Sequence, residues 1–215
     1  MSINARKVVA SLAGAAPSAD TLAMDNSTSK MTSEGLRDHF LIAMPSLQDG
    51  YFDHSVTYIC EHGDEGAMGL VINQPIDLTL QQVLRQLDID PVAGAADQRV
   101  FRGGPVQPEH GFVLHSDESQ WHGTRKLPNG LGLTTSRDIL ESMALNHGPK
   151  QSLVALGYAG WGPGQLEAEI AENAWLVGPS SRSILFSLPP DERWNAAAQL
   201  MGIDMNLISQ AAGHA

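Results

Sequence analysis

The residue pattern predicts an α+β domain built on a curved, mixed β-sheet. Two observations carry this reading. Short runs of aliphatic, β-branched and aromatic residues, bounded by Gly, Pro or Asn, have the composition and length of strands. A few amphipathic helical stretches fall among them at irregular intervals, without the regular β-α-β alternation of a doubly wound sheet. With 215 residues and 42% apolar composition the chain can bury one good core, so a single domain is expected.

The elements follow in order. His39-Phe-Leu-Ile-Ala-Met44 reads as a strand stopped by Pro45, because proline is poorly tolerated inside a sheet. Ser55-Val-Thr-Tyr-Ile-Cys60 and Met68-Gly-Leu-Val-Ile72 are two more, the second ending at Asn73-Gln74-Pro75. In 78–87, Leu80, Val83, Leu84 and Leu87 recur at i, i+3, i+4 and i+7, one face of a helix. Arg99-Val-Phe101 and Gly111-Phe-Val-Leu-His115 are strands flanking Gly103-Gly104-Pro105. A helix over 136–147 is expected to begin with a capping box from Thr135 to Asp138 and to end at Gly148-Pro149. Ser152-Leu-Val-Ala-Leu156 is a strand leading into Gly157-Tyr-Ala-Gly-Trp161-Gly-Pro-Gly164. Gln165-Leu-Glu-Ala-Glu-Ile170 alternates polar and apolar residues, which predicts a strand despite its helix-favouring composition. A turn at Glu172-Asn173 then leads to a strand, Ala174-Trp-Leu-Val177. An alanine-rich helix is expected from Asp191 to Met201, and Asp204 is placed to cap a short one near 205–210.

Charge excludes some functions. The formal net charge is −11; residues 1–33 hold three cations against two acids, leaving −12 on the other 182 residues. The basic residues of that acidic body are scattered singly, so direct nucleic-acid binding is disfavoured. No apolar run approaches the roughly 18 residues needed to cross a bilayer as a helix. Residues 1–33, rich in Ala, Ser, Thr and Asn, are expected to form a tail and 34–215 the folded domain. Arg6-Lys7 before an apolar stretch outlines a signal peptide, but that stretch is short and mostly alanine. Met24 and Met31 are alternative starts close to the folded region. A single unpaired cysteine, Cys60, fits a reducing compartment, so a cytoplasmic location is expected.

Three glycine-rich corners attract attention: 63–69, Gly103-Gly104-Pro105-Val106 and 157–164. None runs on into Lys-Ser/Thr, and acids flank them, so a phosphate cradle is not expected and structural turns are. Glu167 and Glu169 would share one face of the expected strand, a candidate acid–base pair weighed against an ordinary solvated face. Cys60 and His62 would also share a strand face, a candidate thiolate–imidazole pair; burial of Cys60 as a small hydrophobe is the preferred alternative. His39, His54, His110, His115, His122 and His147 match no metal-ligand spacing. With one cysteine, no multi-thiolate zinc site can form within the chain. No cofactor or metal is expected. Trp161, set among glycines, is expected to be exposed as a binding anchor.

Taken together, His39-Phe-Leu-Ile-Ala-Met-Pro45, Gly66-Ala-Met-Gly-Leu-Val-Ile-Asn73, Gly103-Gly-Pro-Val106 with Gly111-Phe-Val-Leu-His115, and Gly157-Tyr-Ala-Gly-Trp161 through Gly164-Gln-Leu-Glu167 to Asn173-Ala-Trp-Leu176 resemble the AlgH/YqgE family of small bacterial proteins. The resemblance spans about residues 36–214 and includes Gly213-His214-Ala215 at the end. It implies one α+β domain whose bifurcated sheet folds into a pseudo-barrel with flanking helices. Members carry a transcriptional-regulator label, linked in one branch to alginate production. The family brings no established catalytic residue, cofactor or substrate. The expectation is therefore a binding or regulatory module acting through a protein or small-molecule partner. Its surface would centre on Trp161, Gln165 and Glu167, with Asn73, Gly103 and Gly104 nearby. An enzyme using Glu167, Cys60 or His62 is the alternative, and a direct DNA-binding regulator the third.

Overall fold

A single ten-residue strand organises the sheet, because its two halves take different neighbours. The computed structural model describes residues 35–47, 50–205 and 207–208. The tail, the alternative starts and the motif at 213–215 lie outside these residues. The elements are β1 (His39–Ala43), β2 (Val56–Gly63), β3 (Gly66–Val71), β4 (Pro75–Thr79), α1 (Leu80–Gln86), β5 (Arg99–Arg102), β6 (Val106–Ser116), β7 (Arg125–Leu127), β8 (Leu131–Thr134), α2 (Arg137–Ala144), β9 (Ser152–Trp161), α3 (Gln165–Ala171), β10 (Trp175–Pro179), α4 (Arg182–Phe186) and α5 (Arg193–Gln199). A 3₁₀ turn, Pro128–Gly130, joins β7 to β8.

Among the described residues the sheet runs β10-β1-β2-β3-β9-β6-β8-β7, with β4 paired to β5 and β5 to β9. Val154, Ala155 and Leu156 of β9 lie parallel to Val100, Phe101 and Arg102 of β5. Three residues on, Ala159, Gly160 and Trp161 lie antiparallel to Gly69, Met68 and Ala67 of β3. This change of neighbour is the bifurcation. At the fork the Gly103 amide donates to the Leu156 carbonyl (2.8 Å), and its own carbonyl accepts from Val71 (2.8 Å). A Cβ on Gly103 would overlap the Gly157 carbonyl oxygen, and one on Gly104 the Tyr158 carbonyl carbon. Gly157 itself sits at φ +71°, where a side chain is strained. Only glycine lets three backbones meet here.

The sheet is covered on both faces, which is why β1 is apolar from Phe40 to Ala43 rather than alternating. Phe40 and Ile42 join a core closed by Ile184 and Leu185 of α4 and by Trp194 and Ala197 of α5. Leu41 and Ala43, on the other face, pack with Trp161, Leu166 and Trp175. A third cluster seats α1 and α2 against Val100, Val113 and Val154. Arg193 anchors α5 from inside. It is 5% exposed, yet its Nη1 donates to the Ile72 carbonyl (2.5 Å) and its Nε to the Leu188 carbonyl (3.0 Å). Its guanidinium also lies over the Phe101 ring, and burial lowers its pKa to about 10.

The sheet then curls back on itself as a half-barrel. The turn after β7 brings the Asn129 amide onto Asp38, just before β1. Asp38 also accepts from Tyr58 (3.0 Å) and from Ser180 (2.8 Å), just beyond β10. Four segments far apart in the chain thus share one carboxylate.

Several sequence expectations are corrected. The segment 165–170 is a helix, not a strand. Leu166 and Ile170, four apart, satisfy a helical stripe as well as an alternating one, and the Glu and Ala content decides between them. The N-cap position of α2 is Ser136, one after Thr135, and the expected capping box does not form: Ser136 makes no side-chain cap hydrogen bond. The helix after Pro190 begins at Arg193, behind a turn in which Glu192 and Arg193 bond back to the prolines. β4, β7, β8 and α4 have no counterpart in the sequence reading. Each is five residues or fewer, too short for a period to register.

Candidate functional site

The glycine–tryptophan motif serves two faces at once. Along a strand, side chains alternate between faces, so in β9 Tyr158 and Gly160 share one side while Ala159 and Trp161 share the other. The two sides lead to different structures, although Trp161 also contributes to the lining of the cleft on the Tyr158 side.

On the Trp161 side stands a clamp built on α3. Trp161 is 6% exposed, contrary to the exposed anchor the sequence suggested. It packs against the rings of Phe52 (6.4 Å between centroids) and Trp175 (6.0 Å), and its burial leaves no protruding aromatic. Its indole N–H donates to Glu169 (2.9 Å), and the Trp175 indole donates to the same oxygen (2.8 Å). The Gln165 amide donates to the other oxygen of Glu169 (2.9 Å), while its own carbonyl accepts from the Gly162 amide (3.0 Å). Glu167 turns the opposite way, to His62 of β2 (2.8 Å). Trp161 and Gln165 therefore meet at Glu169, which the sequence had offered as an acid–base partner of Glu167, while Glu167 points away to His62.

The remaining candidates do not converge on this clamp. Asn73 sews the end of β3 to the start of β2: its carbonyl accepts from Val56 (2.8 Å) and its amide donates to the His54 carbonyl (2.8 Å). Gly103 and Gly104 are consumed by the fork. The geometry of the enzyme alternative is likewise corrected. Glu167 and Glu169, on a helix rather than a strand, take different partners and form no acid–base pair. Cys60 is fully buried, as expected of a lone strand cysteine acting as a small hydrophobe. Burial pushes its thiol up to about 12, against a smaller opposing pull from Arg125 and Arg37. No thiolate forms there near neutral pH, and His62 is engaged by Glu167 instead.

On the Tyr158 side lies a cleft of about 640 Å³ between the β2–β3 hairpin and β6, β7 and β8. Met68, Phe112, Leu133 and Tyr158 give it apolar lining; Glu61, Glu65, Gln107, His110, Arg125 and Thr135 give it polar groups. Phe112 meets the Tyr158 ring edge-on at 5.7 Å and the His110 imidazole, tilted, at 5.1 Å, so three rings lie in contact along the cleft. Gly160 leaves room for them, since a Cβ there would press on the Tyr158 ring at 3.1 Å. Arg125 of β7 is ion-paired with Glu61 of β2, spanning the cleft's two sides. Burial lowers the His110 pKa below its ordinary 6.5, against a smaller upward pull from Glu109, so the imidazole is neutral at pH 7.

Sequence reading missed this cleft because its lining comes from five separated strand segments. One signal was present: the two-residue period that pairs Tyr158 with Gly160, hidden by attention to the tryptophan.

A family model described as AlgH-like matches residues 40–206. The chain belongs to the AlgH-like family. Its AlgH-like relatives include a UPF0301 protein of Thioalkalivibrio sulfidiphilus, 60% identical over 183 residues, covering 85% of this chain and 98% of that protein. Another, from Saccharophagus degradans, is 54% identical over 180 residues, covering 84% of this chain and 89% of that one. The solution structure of the AlgH protein from Pseudomonas aeruginosa superimposes with a TM-score of 0.70 at 47% identity, covering 87% of this chain and all of that one. A crystal structure of a Corynebacterium diphtheriae protein shares the fold at a TM-score of 0.63 and 21% identity, covering 82% and 93%. The α+β half-barrel expected of an AlgH-like chain is thus the one observed. Among the described residues, no helix is long and apolar enough to cross a membrane.

Proposed function

We propose that this AlgH-like chain is a cytoplasmic small-molecule-binding module, regulatory rather than catalytic, with the Tyr158 cleft as its ligand site. One observation supports this above the others: a cleft of about 640 Å³ combines adjoining aromatic rings with a few polar groups. That volume and mixture are typical of sites for small organic ligands, roughly 300–1,000 Å³ and mainly apolar. The candidate nucleophile is buried, and the other motif residues are occupied in holding the fold. The acidic body argues against direct binding to nucleic acid.

The test is a fragment survey on the isotope-labelled full chain, followed by amide chemical shifts. Binders are expected to move the amides of Gly66, Gly123 and Gly160, all at the cleft. Thr135→Trp, which places an indole in the cleft, is expected to abolish those shifts. Fragments that instead scatter over the surface, or that bind equally well to Thr135→Trp, would sink the reading.

A further inference from the structure

The charges inside the cleft do not balance, and the imbalance bears on what it takes. Its acids are Glu61 and Glu65 and its one permanent cation is Arg125. Arg125 is already held by Glu61, so its charge is spent on the chain itself. His110 contributes none at neutral pH. That leaves the exposed Glu65, at the turn of the β2–β3 hairpin, with no opposing charge in a cleft that also holds the Phe112, Tyr158 and His110 rings. Ring faces carry negative quadrupolar potential and attract cations. The acidic body of the chain adds to the same field, since a net charge of one sign raises the local concentration of counter-ions of the other. Two neutral acceptors, the Gln107 carbonyl and the Thr135 hydroxyl, can also receive N–H donors. The Gln107 amide and the Thr135 hydroxyl can donate as well as accept, so they do not discriminate by charge; the discrimination comes from Glu65.

We infer that the cleft selects organic cations: a protonated amine or amidine whose charged head lies at Glu65 and whose apolar body lies on Phe112 and Tyr158. This rests on the cleft being a ligand site, and the experiment separates the two claims. Three probes share one ring system and differ in charge: tryptamine (cation), tryptophol (neutral) and indole-3-propionate (anion). Each is titrated into the labelled full chain, following the Gly66, Gly123 and Gly160 amides. Tryptamine is expected to bind about tenfold more tightly than tryptophol, the ratio that roughly 1.4 kcal/mol of charge attraction gives, and indole-3-propionate not to bind. Glu65→Gln, at an exposed turn, is expected to bring tryptamine down to the tryptophol level without moving the melting temperature. Tryptamine affinity is also expected to fall as salt rises. Equal affinity for tryptophol or the anion would overturn the cation preference and leave the cleft reading standing. Tryptamine binding unchanged in Glu65→Gln would overturn it too. If no probe moves these amides the inference fails, and the fragment survey decides the cleft separately.

Discussion

His115 shows how one buried side chain can set the acid limit of the fold. It is fully buried; its Nδ1 donates to the Ser116 carbonyl (2.9 Å), so Nε2 accepts from the Thr134 hydroxyl (2.8 Å). Burial lowers its pKa below 6.5, outweighing the Ser116 hydrogen bond and the nearby Asp117 and Glu118 that raise it. The unfolded chain therefore takes up a proton near pH 6.5 that the folded chain refuses. Stability is full above that value and declines as pH falls from it towards the lower folded value. His110 acts in the same direction. The urea midpoint is expected to drop between pH 7.5 and 5, and His115→Gln to flatten the drop; a pH-independent midpoint in the unsubstituted chain would refute this. At this scale the sequence was informative where a residue's own chemistry decides its place, as with Cys60. It misled where distant partners decide. Glycines around Trp161 suggest exposure, but Phe52 and Trp175, which bury it, are 109 and 14 residues away in the sequence.

At the scale of elements, α3 is held by its polar face as much as by its apolar one. Leu166 is its one fully buried residue, a small hydrophobic anchor for a seven-residue helix. Glu169 supplies the rest by accepting from two indoles and an amide. Glu169→Ala would leave the N–H groups of Trp161 and Trp175, 6% and 3% exposed, without that acceptor. Such groups cost about 1–3 kcal/mol each when left unpaired. The variant is expected to lower the unfolding free energy by about 2–4 kcal/mol, with Glu169→Gln intermediate because one acceptor oxygen remains. Urea unfolding followed by tryptophan fluorescence measures both; a loss under about 0.5 kcal/mol for Glu169→Ala would show that the clamp contributes little. The long elements were legible because a period had room to declare itself. In α3 the period was ambiguous, and the clamp joins residues that no local pattern links.

For the whole molecule, Asp38 hydrogen-bonds segments from both ends of the curled sheet. Its contacts with Asn129 and Ser180 join positions 91 and 142 residues away. If these contacts hold the curl, Asp38→Ala and Asn129→Ala should not be additive. A double-mutant cycle is expected to give a coupling of about 1 kcal/mol, the scale of directly touching polar groups, while strict additivity would mean the half-barrel closes without them. This architecture entered the sequence reading through family resemblance alone. Composition supported an irregular α+β chain, but pairings across such distances leave no local trace in one sequence. The pairing of β1 with β10 has a further consequence during synthesis. Translation delivers β1 first among the strands of the described residues, while its outer neighbour, ending at Pro179, is the last of them. Until then a strand apolar from Phe40 to Ala43 lies with one edge open, the sort of edge that recruits other chains. A nascent chain stalled before Trp175 is therefore the adhesive form of this protein.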